Sequence, residues 1–226
     1  MNLPSKGALG ALAICALLTS GCGKTLKQFA YEGFDRDDWQ EPEKIIEALE
    51  IQPGSQIADL GAGSGYFTFD LARATGPQGH VWAVDVDPDM IEVLREKAAA
   101  EKASNVTVVL APPDDPDLPD GKIDLVFTSN TYHHIEDQPA YFARLAKDLA
   151  PNARIAILEF RPDAGWVQKW SGHATPVEEI RKEMTAAGYA LTEQPTLLDR
   201  QSFLIFERLR APSKRPPPGS VDPIVE

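Results

Sequence analysis

The stretch Asp59-Leu60-Gly61-Ala62-Gly63-Ser64-Gly65-Tyr66-Phe67 decides how the chain is read. The run Gln56-Ile57-Ala58-Asp59-Leu60 leads into it, and residues 66–74 continue with helical periodicity, so a strand, a tight turn and a helix follow one another. In a doubly wound sheet the first such turn comes closest to the ligand, and its glycines let backbone approach where side chains would intrude. Which ligand is the question. The dinucleotide fingerprint G-x-G-x-x-G/A needs its third glycine where Tyr66 stands, one place after Gly65. No Gly-Lys-Ser/Thr of a phosphate-cradling loop follows the turn, and nothing basic is expected nearby to neutralise a pyrophosphate. The turn is therefore expected to meet a ligand without phosphates.

Working outward, residues 41–50 read as a short amphipathic helix with Pro42 in its first turn. Strands are expected at 80–86, 105–111, 123–129 and 154–160, with helices at 88–102, 139–150 and 176–187. Two further strands, 189–194 and 201–209, are separated by too few residues for a helical crossover and should pair antiparallel. The alternation predicts an α/β, Rossmann-like doubly wound fold: a mostly parallel seven-stranded sheet with a C-terminal antiparallel strand pair. The organisation expected is a signal segment at 1–22, a linker or lid arm at 23–40, one domain at 41–210 and a disordered proline-rich tail at 211–226. Tyr31, Phe34 and Trp39 make the arm more aromatic than a linker needs, so it should pack on the domain or cover a cleft.

Two carboxylates sharpen the ligand. Asp85 ends the second strand, the position from which an acid accepts hydrogen bonds from both ribose hydroxyls. Asp59, at the start of the glycine turn, suits a cationic amine. A ribose, an amine and no phosphate point to S-adenosylmethionine. With "DLGAGSG" (59–65), "VWAVDVDPDM" (81–90), "PPDDPDLPDGKIDLVF" (112–127), "NTYHHIED" (130–137) and "LAPNARIAILEF" (149–160) in order, the chain resembles the class I S-adenosylmethionine-dependent methyltransferases of small-molecule type. The resemblance covers residues 39–209. It implies that Gly61 and Gly63 meet the methionine part, that Asp85 holds the ribose, and that Asp114 or its neighbour Asp115 accepts from the adenine amino group. Gly65 serves either the cofactor or the packing of the following helix. Asp87 and Asp89 read as acids at a helix start. The turn before the fifth strand, commonly Pro-Gly-Gly in the family, is here Pro151-Asn152-Ala153.

Methyl transfer from a sulfonium is an in-line displacement with an activated leaving group, so positioning supplies much of the rate. A base is needed where the acceptor must lose a proton. His133 and His134, just past the fourth strand, are the candidates, with His173 a further one; Asn130 and Tyr132 are candidates for touching cofactor or acceptor. The histidine spacing fits no metal-ligand pattern. The acceptor is expected to be a small molecule.

The formal charge of -12, with no basic cluster longer than two residues, excludes a nucleic-acid partner. Both cysteines, Cys15 and Cys22, lie in the first tenth of the chain and can form no framework for the domain. Lys6, the apolar run 8–18 and Thr19-Ser20-Gly21-Cys22 read as a secretory signal, and Cys22 after small residues resembles the lipidation site of bacterial lipoproteins, with Thr19 where that pattern prefers leucine. A membrane-anchored lipoprotein on the periplasmic side is the resulting expectation, with a cytoplasmic location the alternative. Because S-adenosylmethionine is made in the cytoplasm, a non-catalytic anchored module retaining the nucleoside pocket stands as the alternative function. A nicotinamide-dependent oxidoreductase is disfavoured by the early third glycine.

Overall fold

The computed structural model describes residues 36–163 and 174–209. Seven strands form one sheet: β1 (Gln56–Leu60), β2 (His80–Asp85), β3 (Val106–Leu110), β4 (Ile123–Ser129), β5 (Leu149–Phe160), β6 (Tyr189–Glu193) and β7 (Gln201–Arg208). Their order is β3-β2-β1-β4-β5-β7-β6. The first five run parallel, and β7 pairs antiparallel with both β5 and β6, as the short connection required. The order reverses between β1 and β4, the switch point at which such sheets open a crevice beyond their carboxyl ends.

Side-chain alternation sorts the helices onto two faces. Ile57 joins Ile45 and Leu49 of α2 (Pro42–Ala48, and its C-cap) and Leu71 of α3 (Thr68–Thr75), while Ala83 meets Ile91 and Leu94 of α4 (Pro88–Glu101). Ala58 and Leu60 belong to the opposite face, with Phe142 and Leu145 of α5 (Gln138–Leu145) and Ile180 and Met184 of α6 (Val177–Ala186). Asp59 shares the face of Ile57, so the strand's own period turns a carboxylate into a buried layer.

Two boundaries differ from expectation, while the end of the arm packs on the domain as its aromatics implied. Residues 36–40 form a helical turn, α1 (Arg36–Gln40), whose Gln40 is fully buried, so the end of the arm is part of the packed domain. α5 stops at Leu145, not at 150. β5 starts at Leu149, so Pro151-Asn152-Ala153 lies inside a strand and not in a turn before it. The register moves from Ile123↔Leu149 to Leu125↔Arg154, a bulge that places Pro151, which has no N–H to donate, where the ladder opens. The signal with Cys22, Tyr31 and Phe34, the loop with Trp166, Trp170 and His173, and the tail from 211 lie outside the described residues.

Candidate functional site

The glycine turn leaves β1 at the switch point. Gly61, Gly63 and Gly65 hold φ of 71°, 55° and 84°, the left-handed region that favours glycine. The N–H groups of Gly61 and Ala62 both donate to the Val84 carbonyl at 2.9 and 3.0 Å, Gly63 N–H donates to Asp85 Oδ2 at 2.7 Å, and Gly65 N–H to the Ala62 carbonyl at 2.8 Å. Those amides are committed within the protein, so the turn does not present the open row of donors with which a pyrophosphate is held. A Cβ on Gly65 would lie 2.8 Å from both Leu94 Cδ2 and Phe69 Cε2, which gives this glycine a packing duty against α4.

Asp85 is nearly buried. Oδ2 takes Gly63 N–H, Oδ1 takes Asp87 N–H at 2.9 Å, and Asp87 in turn caps α4 by accepting from Asp89 N–H at 3.0 Å. Asp89 thus lies in the first turn of α4, as expected. Burial raises the Asp85 carboxyl above the ordinary range, opposed by these backbone donors. Asp59 is buried as well; its Oδ2 accepts from Thr68 Oγ1 at 2.6 Å. Burial pushes it up to about 7, with Thr68 lowering it, the Asp85 charge raising it and Arg36 lowering it.

Arg36 corrects the expectation that nothing basic stands near the turn. The guanidinium lies 3.8 Å from the centroid of the Tyr66 ring and close enough to Asp59 to act on its charge. It arrives on α1, far off in sequence. The same helical turn is fixed by Tyr66 Oη donating to Asp37 Oδ1 at 2.5 Å, by Gln40 Nε2 donating to Ser129 Oγ at 3.0 Å, and by Trp39 stacking on Phe160 at 5.5 Å. It therefore crosses the carboxyl ends of β1, β4 and β5.

The remaining candidates separate. Asp115 is tied to Lys147 Nζ at 2.9 Å, which holds its carboxyl below the usual value, and also accepts from Asp117 N–H. Asp114 keeps an exposed side chain while its carbonyl accepts from Arg144. Asn130, at φ 54°, accepts from Gln201 Nε2 at 2.7 Å. Tyr132 does not face a ligand: it is fully buried, stacks on Phe142 and donates to Glu183 Oε2 at 2.6 Å, because the 3-10 turn Tyr132–His134 directs it into the core. His133 Nδ1 lies 2.9 Å from Glu159 Oε1, and the exposed His134 sits 4.0 Å away, ring to ring. Sequence reasoning passed over Glu159, whose signal was a carboxylate in an otherwise apolar strand. It also passed over Val86 and Leu110, large apolar residues 57% and 50% exposed at the ends of β2 and β3, where Asp85 pairs with Leu110. Together they offer an apolar face beside the Asp85 carboxylate.

These features gather at the switch point of a doubly wound α/β sheet, where proteins of that class bind their ligands. The Methyltransferase domain family model matches residues 51–202, and the chain belongs to that family. It is 32% identical over 114 residues to the nocamycin O-methyltransferase of Saccharothrix syringae, covering 50% of this chain and 41% of that one. It is 31% identical over 116 residues to the ubiquinone/menaquinone biosynthesis C-methyltransferase of Vibrio parahaemolyticus, covering 51% and 45%. The chain thus spans less than half the length of these curated relatives. The fold matches a SAM dependent methyltransferase from Aquifex aeolicus with a TM-score of 0.75 at 22% identity, over 81% of this chain and 97% of that one.

The Aquifex aeolicus neighbour is SAM dependent by its name, and S-adenosylmethionine is the group that these residues would have to hold. Three observations fit it to these residues: a buried carboxylate at the end of β2 whose two oxygens retain acceptor capacity for a diol, a second buried carboxylate at Asp59, and Ser64 Oγ, buried in the turn without a hydrogen-bond partner among the described residues.

Proposed function

We propose that the protein transfers a methyl group from S-adenosylmethionine to a small-molecule acceptor. The observation that carries this reading is the commitment of the turn's amides to Val84 and Asp85, which leaves a site built from carboxylates and an apolar face rather than from phosphate donors. In this reading Asp85 accepts from the ribose hydroxyls, Val86 and Leu110 flank the adenine, and Asp114 accepts from its amino group. Asp59 takes the ammonium, and Arg36 faces the carboxylate of the methionine end. The cofactor supplies an activated methyl; the protein orients it and keeps water out, with α1 across the strand ends. Two curated relatives are, by their names, a nocamycin O-methyltransferase and a C-methyltransferase of ubiquinone and menaquinone biosynthesis, which supports a small-molecule acceptor.

Calorimetric titration of S-adenosylhomocysteine tests it. Micromolar binding, about -8 kcal/mol, is expected for the wild type. Asp85→Ala, which loses both the diol contact and the Gly63 tether, should weaken it about a hundredfold, because charge-assisted hydrogen bonds contribute about 1.5–3 kcal/mol each. Binding of NAD in place of S-adenosylhomocysteine would overturn the reading.

We also propose that the chain is lipidated at Cys22 and held at the membrane on the periplasmic side, on the strength of the apolar run 8–18 and the small residues before that cysteine. The full-length protein should sediment with membranes and Cys22→Ser should not; a soluble wild type would overturn the lipid anchor.

A further inference from the structure

The loop between β3 and β4, which carries Asp114, is held largely from outside itself. It leaves β3 beside the ribose carboxylate, where Ala111 N–H donates to the Asp85 carbonyl at 3.1 Å. It returns into β4 where Gly121 N–H donates to the Lys147 carbonyl at 2.9 Å, and Lys122 and Ile123 N–H to the Asp148 carbonyl at 2.9 and 3.0 Å. Buried Pro116 and Leu118 pin its second half, Leu118 in one core with Tyr141, Phe142 and Leu145 of α5. Residues 112–115 lack both supports. Pro112 and Pro113 have no N–H to give, and among the described residues no backbone–backbone hydrogen bond reaches 112–115. What holds them is the end of α5. Arg144 brings Nε and Nη2 to the Asp114 carbonyl at 3.2 and 3.0 Å, and Lys147 Nζ meets Asp115 Oδ2 at 2.9 Å.

The two cations sort two adjacent carboxylates. Asp115 is engaged by Lys147 and by Asp117 N–H, whereas Asp114 gives Arg144 its carbonyl and keeps its carboxylate exposed. The two contacts differ in kind. The Lys147 and Asp115 side chains are 51% and 38% exposed, and an ion pair so open to water contributes little. Arg144 is exposed as well, so what it adds is direction more than strength. Its guanidinium is a rigid fork, and two donors converging on one carbonyl fix that oxygen in angle as well as distance. Holding the Asp114 carbonyl holds the Cα from which the Asp114 carboxylate projects. From this geometry we infer that Arg144 is a positioning residue for base selection: it sets where the Asp114 carboxylate stands, and through it the preference for adenine over its deaminated form, hypoxanthine. The inference rests on the methyltransferase reading, in which Asp114 accepts from the adenine amino group. Hypoxanthine turns a carbonyl toward the carboxylate where adenine turns a donor, so acceptor faces acceptor and the contact is lost.

Calorimetric titration of the full chain with S-adenosylhomocysteine and with its deaminated counterpart, S-inosylhomocysteine, tests this. The wild type should prefer the adenosyl ligand about thirtyfold, as one charge-assisted hydrogen bond gives. In Arg144→Gln the preference should fall to about fivefold, with the loss on the adenosyl side and the inosyl affinity within about twofold of wild type. Equal weakening of both ligands would make Arg144 a structural tie of the crevice and end the assignment. Arg144→Lys, which keeps the charge and loses the fork, should match Arg144→Gln; wild-type behaviour in it would mean that charge alone acts, and overturns the positioning role. Lys147→Gln should stay within about twofold of wild type for both ligands, and a larger loss of preference there than in Arg144→Gln would hand the role to Lys147. Asp114→Ala should remove most of the preference, and Arg144→Gln added to it should change neither affinity further. Additive losses would show that Arg144 does not act through Asp114. A wild type that binds both ligands alike leaves the methyltransferase reading standing and refutes selection by Asp114 and Arg144; a wild type that binds neither ends both.

Discussion

Replacing Asp59 with asparagine is expected to make the empty protein more stable at pH 8 and to weaken S-adenosylhomocysteine binding about thirtyfold. The two effects have one cause. Burial raises the Asp59 carboxyl from 3.8 to about 7, so between those values the folded protein holds a proton that the unfolded chain has released. Stability therefore falls as pH rises from about 4 to about 7 and levels off above, with a slope of at most about 1.4 kcal/mol per pH unit. From pH 5 to pH 8 this one group should remove about 2–3 kcal/mol, and the asparagine variant should lose that dependence. The charge is held in spite of this because a ligand ammonium needs it: the contact contributes about 2 kcal/mol, which is the thirtyfold. Wild-type affinity should also rise from pH 5.5 to 7 and then flatten, as binding ceases to require removal of the Asp59 proton. Urea unfolding at pH 5 and pH 8, with titrations at the same values, reads all of this. An identical pH dependence of stability in both proteins would show that the carboxylate is not perturbed in the folded state.

The contrast between Asp59 and Arg36 shows what could be read from the sequence. Asp59 stands in the motif, one strand period from Ile57, so its place beside the turn followed from local pattern, as did Asp85 at the end of β2 and the parallel order of the early strands. Gln56-Ile57-Ala58-Asp59-Leu60 and the glycines after it interact within a few residues or with the next strand. Arg36 and Glu159 reach the site through the tertiary fold, across 23 and 26 residues to Asp59 and His133 respectively, and no periodicity links them. The bulge at Pro151 was hidden for a related reason: proline reads as the end of a strand, and only the register against β4 shows the strand passing through it. Tyr132 misled in the other direction. An aromatic three residues past a strand end at the crevice looks available to a ligand, and the 3-10 turn points it into the layer beneath α5 and α6, where Phe142 and Glu183 take both its ring and its hydroxyl.

Gly61→Ala should be the most damaging single methyl that can be added to the turn. Two penalties combine there. At φ 71° an alanine sits in the left-handed region, at about 1–2 kcal/mol. Its Cβ would also fall 2.1 Å from Thr131 Oγ1 and 2.4 Å from Thr131 Cγ2, and overpacking of this kind costs about 1–3 kcal/mol more. A total of about 2–5 kcal/mol is a large part of the 5–15 kcal/mol that holds an ordinary domain together. Gly121→Ala separates the two: φ is 67° and nothing lies within 4 Å of the added Cβ, so it should show the backbone penalty alone. Thr131→Gly in the Gly61→Ala background removes the atoms that collide, and should recover the difference between those two alanine variants. Chemical denaturation of these proteins, with Thr131→Gly alone as the fourth corner, gives the cycle. Equal losses in Gly61→Ala and Gly121→Ala would mean that the turn after β4 moves aside at no cost, and that Thr131 does not hold the glycine turn in the shape that brings Gly63 N–H onto Asp85. With the collision confirmed, the distance between the ends of β1 and β4 is fixed by one glycine and one threonine, and the crevice exists at its present width before any ligand enters it.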